Sequence, residues 1–157
     1  MKPIKEIELT QGKFAIVDDE DYDRLNQYKW RYSTGYAMRA VWTKNKQIAV
    51  LMHREVIGAR PEFEVDHINR KRLDNRKENL RECTRSQNAC NKPRIGKVSK
   101  YRGVSKYGKS SSSWISRIKT NGKLFYIGSF KEEKEAAKKY NEYAIKFHGE
   151  FAILNDV

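Results

Sequence analysis

Between Val65 and Asn91 the sequence VDHINRKRLDNRKENLRECTRSQNACN changes character several times in fewer than thirty residues, and the rest of the chain is organised around it. Phe63, Val65 and His67 alternate with Glu64 and Asp66, which predicts a short strand. Asp74-Asn75 reads as a turn, and Glu78-Asn79-Leu80 resumes an extended segment. Thr84 is the expected N-cap of a helix running through Gln87 and Asn88, and Pro93 ends it.

Hydrolysis of a phosphodiester needs charge neutralisation and a base that deprotonates water. Asp66 supplies a hard oxygen ligand, and His67 an imidazole that titrates near neutral pH. Neighbours on a strand point to opposite faces, so one of the pair can hold a metal while the other meets a substrate water. A lone Asp-His pair is ordinarily a surface turn, and Asn-rich loops often only cap backbone groups. Four linked motifs in one order outweigh that reading.

Those motifs are His53-Arg54, V-D-H-I-N (Val65 to Asn69), D-N-R-x-E-N-L-R (Asp74 to Arg81) and T-x-x-Q-N (Thr84 to Asn88). Together they resemble the HNH endonucleases, and within them the phage and intron-borne homing enzymes with a ββα-metal site. The resemblance implies Asp66 and Asn88 as ligands of one divalent ion and His67 as the general base. It places Asn79 on the second strand, holding the His67 loop by hydrogen bonding. The spacings of twelve residues from His67 to Asn79 and twenty-two from Asp66 to Asn88 fit that arrangement. Asn88 stands where many relatives carry a final His, and a carboxylate with an amide oxygen favours Mg²⁺, or Mn²⁺, over Zn²⁺. His53 either orients a neighbouring strand or meets a phosphate. Arg85, like Arg70, Lys71, Arg72 and Arg76, is near enough in sequence to steady phosphates.

With 157 residues the chain has room for one or two small domains. Its net charge of +13 favours a polyanionic partner. That charge is concentrated: residues 92–130 carry ten basic side chains and no acidic one. No apolar run is long enough for a membrane span, and the N-terminal MKPIKEIEL lacks a signal-peptide core, so a cytoplasmic protein is expected. Cys83 and Cys90 are too few and wrongly spaced for a C-x-x-C zinc site, and read as reduced, packed thiols.

In chain order, residues 4–17 read as strands around a turn at Gln11-Gly12. The acidic run Asp18 to Asp23 reads as the solvated start of a helix facing away from DNA. Trp30, Tyr32, Tyr36, Met38 and Val41 predict an aromatic strand region turned at Asn45-Lys46, with Trp30 and Trp42 in the core. Lys92 to Lys100 reads as a basic linker.

Farther on, strands are expected at Arg102–Lys106, Trp114–Lys119 and Lys123–Ser129, with Asn121-Gly122 as a hairpin turn. Ser129-x-x-Glu132 reads as a capping box before a helix carrying Ala136, Tyr140, Tyr143, Ala144 and Phe147 and stopping near His148-Gly149. YRGV (Tyr101 to Val104), W-x-x-x-I (Trp114 to Ile118), YIGSF (Tyr126 to Phe130) and EAAKKYNEYA (Glu135 to Ala144) resemble the AP2 DNA-binding domain. In that family the sheet lies in the major groove and the helix supports it. Carried over here, Trp114, Ser116, Ile118, Phe125 and Ile127 face the helix, leaving Ile115, Arg117, Lys119, Leu124 and Tyr126 toward DNA. Arg102 and Lys106 on the first strand join Arg117 and Lys119 as contact candidates, and Lys109 to Ser113 is a polar tip reaching for phosphate. Ser105 stands where plant members usually have Arg, so their target sequence does not carry over. His148 is expected to be structural.

The expected fold is therefore α+β: a β-rich region at 1–52, an HNH core at 53–91, a basic linker at 92–100, and at 101–157 a three-stranded antiparallel sheet packed on one helix. The expected activity is metal-dependent cleavage of duplex DNA, with no membrane and no small-molecule cofactor. A non-catalytic transcriptional regulator and an RNA-directed protein are the alternatives. Nicking against double-strand cleavage, and monomer against dimer, stay open.

Overall fold

The computed structural model describes residues 2–91, 98–108 and 112–157. The helix stop at Pro93 and most of the basic linker therefore lie outside the described residues, as does part of the polar tip after Tyr107. The chain divides into two compact units, Met1–Thr84 and Arg85–Val157.

In the first unit β1 (Ile4–Glu8) and β2 (Phe14–Asp18) pair antiparallel around a 3₁₀ turn at Thr10–Gly12, where Gln11 and Gly12 are both left-handed. Helix α1 (Asp19–Asn26) follows, then an antiparallel sheet in the order β3 (Arg31–Ser33), β4 (Tyr36–Trp42), β5 (Gln47–Leu51). Helix α2 (Met52–Ile57) stops at Gly58, whose φ of +60° suits a residue without a Cβ. Strands β6 (Glu64–His67) and β7 (Leu80–Cys83) form a separate antiparallel pair. Ile7, Val17, Leu25, Trp30, Met52, Val56, Val65 and Leu80 share one core, so the N-terminal strands and the motif strands fold around the same apolar centre. Leu25 and Met52 are fully buried, and truncating either to Ala costs about 2–5 kcal/mol.

Two expectations change here. The acidic run does start helix α1, but it is only partly solvated: Glu20 and Asp23 are exposed, whereas Asp18 and Asp21 are buried. Asp18 Oδ2 accepts from the Lys77 backbone N–H at 2.8 Å, and Asp21 pairs with Arg24 at 2.7 Å and with Lys77 Nζ at 3.0 Å. Its carboxylates brace the turn before β7. Trp30 is core, but Trp42 is 76% exposed, because β4 runs on past the last residues that pack.

The second unit begins with α3 (Arg85–Cys90). It continues through β8 (Val104–Lys106), β9 (Trp114–Thr120) and β10 (Lys123–Phe130), an antiparallel sheet with β9 in the centre, and α4 (Glu133–His148). Asn121 and Gly122 both have positive φ, as the two-residue turn between β9 and β10 requires. Tyr101, Val104, Ala136 and Ala137 form one part of the core, with Trp114 and Phe130 against it; Ile118, Tyr140 and Ala144 form another.

The first strand is shorter than expected, beginning at Val104. The capping box is absent. Ser129 stays in the β10 ladder opposite Ile115, and the helix is capped at Glu132 with no side-chain bond, its acidic first turn complementing the dipole instead. A bulge between Tyr126 and Gly128 breaks the alternation of β10. Ile115, placed toward DNA by alternation, is 2% exposed, enclosed on the central strand between Ser105 and Ser129.

Candidate active site

Strand pairing puts Asp66 opposite Arg81 and His67 opposite Leu80. Arg81 Nε and Nη2 reach Asp66 Oδ2 at 3.0 and 2.8 Å, so this buried carboxylate is met by a guanidinium.

His67 points the other way, as strand geometry demands. Its Nε2 donates to Asn75 Oδ1 at 3.2 Å. The Asn75 amide is oriented by its own Nδ2, which faces Met52 Sδ at 3.4 Å and the Leu73 carbonyl at 3.5 Å. With the proton on Nε2, the lone pair of the neutral ring sits on Nδ1. Around it lie two more rings: His53, on α2, has its centroid 5.1 Å from His67, and Tyr36, at the start of β4, is 5.1 Å from His53 and 6.1 Å from His67. Burial, then the neighbouring His67, pushes His53 down to about 3. His67 is also pushed below its ordinary value, chiefly by burial, with the Asn75 bond and nearby Asp66 and Asp74 opposing. Both rings are neutral at physiological pH, the form a base must have before it takes a proton.

The loop between β6 and β7 is built by side chains. Asn79 Oδ1 accepts from Asn69 N–H at 2.9 Å, and its Nδ2 donates to the Asp74 carbonyl at 2.7 Å. Its own carbonyl accepts from Ile68 N–H at 2.9 Å. Asn79 thus ties both ends of the loop that follows His67, from the last residue of a 3₁₀ turn rather than from the strand itself. Asp74 takes both Arg76 Nε and Nη2 at 2.8 Å and Asn69 Nδ2 at 2.7 Å, and the Arg76 bond first holds its carboxyl below the usual range. The loop is also sewn to β2: Asn75 N–H donates to the Ile16 carbonyl at 2.7 Å and Ile16 N–H to Leu73 at 2.8 Å.

The first unit thus sets His53 against His67 and braces the loop after His67 through Asn79, while Asp66 faces the other way onto Arg81. Asn88 and Arg85 lie on α3 in the second unit, Asn88 half-buried and Arg85 exposed. Asp66 is a hard oxygen donor of the kind a divalent cation takes, and its Oδ2 already accepts from the Arg81 guanidinium. Among the described residues one other acidic group is close-set, Asp18, Glu20 and Asp21, but the Lys77 ammonium pairs with Glu20 and Asp21 and already neutralises it. Cys83 and Cys90 are free and buried, and burial raises both thiols, Cys83 to about 11. They are packing groups.

Arg117, Lys119 and Tyr126 share the sheet face turned away from α4, with Arg117 directly opposite Tyr126 and Lys119 opposite Leu124; all four are exposed. Arg102 and Lys106 do not join them. Arg102 Nε donates to the Tyr140 hydroxyl at 2.9 Å, on the helix side. Lys106 pairs with Trp114 across the ladder and lays its ammonium 4.2 Å from that ring. His148 Nε2 donates to the Lys119 carbonyl at 3.1 Å, a packing role.

Asn75, Tyr36 and Arg81 are the residues that reading the sequence missed as partners of the site. Arg81 was findable: counting back from the turn in an antiparallel hairpin sets it opposite Asp66. Tyr36 lies thirty-one residues before His67, and no local pattern links them.

The HNH endonuclease family matches residues 50–90, a span holding His53, Asp66, His67, Asn79 and Asn88. An uncharacterised HNH endonuclease of Acanthamoeba polyphaga mimivirus is 30% identical over 149 residues, covering 94% of this chain and 77% of that protein.

Proposed function

The chain belongs to the HNH endonuclease family, and on that premise we propose that it hydrolyses phosphodiester bonds in duplex DNA with His67 as the base that deprotonates the attacking water. The carrying observation is a buried, neutral imidazole whose Nε2 proton is anchored on Asn75, leaving the lone pair on Nδ1. Asn79 holds the loop behind it, so the ring needs no reorganisation when a water arrives.

Asp66 and Asn88 are the ligands of one divalent cation, Mg²⁺ before Mn²⁺, because both donors are hard oxygens. When bound, that ion supplies the positive charge that the scissile phosphate gathers toward the transition state. Arg81 keeps the Asp66 carboxylate fixed on its strand.

Affinity comes from the second unit. Its sheet, supported from behind by α4 in the manner of an AP2 domain, offers Arg117, Lys119 and Tyr126 to the duplex, and the sequence from 92 to 130 carries ten basic side chains and no acidic one. A phage or homing-type role goes with this pairing of a cutting and a binding module.

The test is nicking of supercoiled plasmid with Mg²⁺, repeated with EDTA and with His67→Ala, and extended to a random-sequence library so that a rare target is included. Metal-dependent cleavage lost in the variant supports the reading. Parent and variant equally inert while both bind DNA would make the protein a non-catalytic DNA-binding regulator.

A further inference from the structure

A sheet packed on one side shows alternating exposure along its strands. The hairpin of β4 and β5 does not: every residue from Trp42 to Gln47 is exposed, and Ile48 and Ala49 continue the run into β5. Ala40 and Ala49 face each other on one surface of the ribbon, Val41 and Ile48 on the other, and neither surface is covered in its outer half. The tip carries Trp42, 76% exposed, with Lys44 and Lys46 beside it, neither ion-paired among the described residues. Thr43 closes the turn, its N–H and hydroxyl both donating to the Lys46 carbonyl at 2.8 and 2.7 Å. This is an ordered arm with an apolar ribbon and a basic aromatic end.

The charge along the chain shows what such an arm meets. Residues 24–54 carry seven basic side chains and no acidic one, while residues 1–23 carry seven acidic and three basic. The positive stretch is the sheet β3–β5 and its flanks, and the negative stretch is folded against Lys77 on the turn before β7. Arg39 at the inner end of this sheet pairs with Glu55, but the charged side chains of the hairpin's outer half are Lys44 and Lys46, so self-pairing through the exposed edge of β5 would set like charges together, a repulsion that a polyanion would not suffer.

We propose that the β4–β5 hairpin is a second DNA-binding element, inserted in a groove of the duplex with Trp42 against base or sugar and Lys44 and Lys46 on phosphates. It rests on the endonuclease reading for the identity of the polyanion, but it sits in the first unit and is separate from the Arg117–Lys119 surface. Its root is Tyr36, whose ring lies 6.1 Å from that of His67. The six steps of strand from Tyr36 to Trp42 extend about 20 Å, which at ~3.4 Å per base pair keeps the arm's contacts within about six base pairs of the cleaved bond. The hairpin thereby gives the catalytic unit its own hold on the substrate.

Trp30 is buried and Trp114 half-buried in the second unit, so the emission lost in Trp42→Phe isolates the share of Trp42. The full chain is titrated with duplex DNA in EDTA, which prevents cleavage, and acrylamide quenching is read with and without DNA. DNA should shield Trp42, and Trp42→Ala should bind about tenfold more weakly. Lys44→Ala with Lys46→Ala should lower the slope of log affinity against log salt by about two. All three side chains are exposed, so the variants fold; far-ultraviolet dichroism checks it. Binding with Trp42 equally quenched, together with variants that bind like the parent, overturns the arm and leaves the endonuclease reading standing. Failure to bind any duplex overturns both. Shielding that grows with protein concentration alone, or with RNA but not DNA, assigns the ribbon to another partner and overturns the proposal.

Discussion

The ring of His53 meets that of His67 edge-on, with centroids 5.1 Å apart and planes at 72°, and both side chains are almost fully buried. Two imidazoles this close cannot both be charged without strong mutual repulsion in a site that water does not screen. Burial disfavours the charged form of each, and each proton would make the other harder to add. The pair is held neutral, and His67 is thereby kept as a proton acceptor rather than a donor.

Stability should consequently depend on pH in a window set by His53. Its folded value of about 3 lies below its ordinary 6.5, so beneath pH 6.5 the unfolded chain takes up a proton that the folded chain refuses. Folding then weakens by about 1.4 kcal/mol for each pH unit until pH nears the folded value. Above 6.5 this group contributes no slope. Asp74, lowered by Arg76, adds a second loss only beneath the ordinary carboxylate range. Urea unfolding from about pH 7.5 to 5 should show falling midpoints, with a shallower fall in His53→Gln. Equal slopes in the two proteins would mean that His53 is already protonated when folded.

Asn75 should matter to cleavage through His67. Asn75→Ala removes the acceptor that fixes the ring and its tautomer, and a loss of about 10–100-fold in kcat is expected with DNA affinity unchanged, as for other orienting partners. Asn75→Asp instead sets a carboxylate against Nε2, which raises the His67 value. The acid limb of the rate profile then moves to higher pH. An unmoved limb would take His67 out of the role of base.

Much of this was legible in the sequence because it is local. The motif strands, the helix over Arg85–Cys90, the Asn121-Gly122 turn and the α4 face are each set by a few adjacent residues. Asp66 and His67 share a strand, so their divergence follows from period two alone. What escaped was long-range. Lys77 lies fifty-six residues from Asp21, and only the fold reveals that two carboxylates of the acidic run, Asp18 and Asp21, are buried against the turn before β7. Lys106 was grouped with the outer-face candidates because only the ladder shows that it stands opposite Trp114, on that ring's helix side. Trp42 was placed in the core on hydrophobicity, and nothing local records where a strand outruns its packing.

Gly103 should tolerate no side chain. Its φ is +74°, and a Cβ there would lie 2.1 Å from Tyr140 Cδ2 and 2.6 Å from the Arg117 carbonyl. The second contact is backbone on the central strand, so repacking Tyr140 cannot relieve it. Gly103→Ala should destabilise the second unit by more than about 3 kcal/mol. Thermal unfolding checks this, and a melting point within a degree or so of the parent would show that the turn after Tyr101 can move away from β9.

Two lysines on neighbouring strands should separate DNA contact from packing. Lys119 is exposed on the outer face, opposite Leu124, while Lys106 lies on the helix side with its ammonium over Trp114. If that outer face meets the backbone, Lys119→Ala lowers the salt slope of DNA binding by about one and leaves the melting point alone. Lys106→Ala should do the reverse, keeping the slope and losing about 0.5–1 kcal/mol of stability with the ring contact. The two measurements cross, which makes the pair informative: a general loss of positive charge would weaken binding in both variants alike. A slope reduced by Lys106→Ala but not by Lys119→Ala would turn the sheet over and assign the DNA to the side that α4 covers.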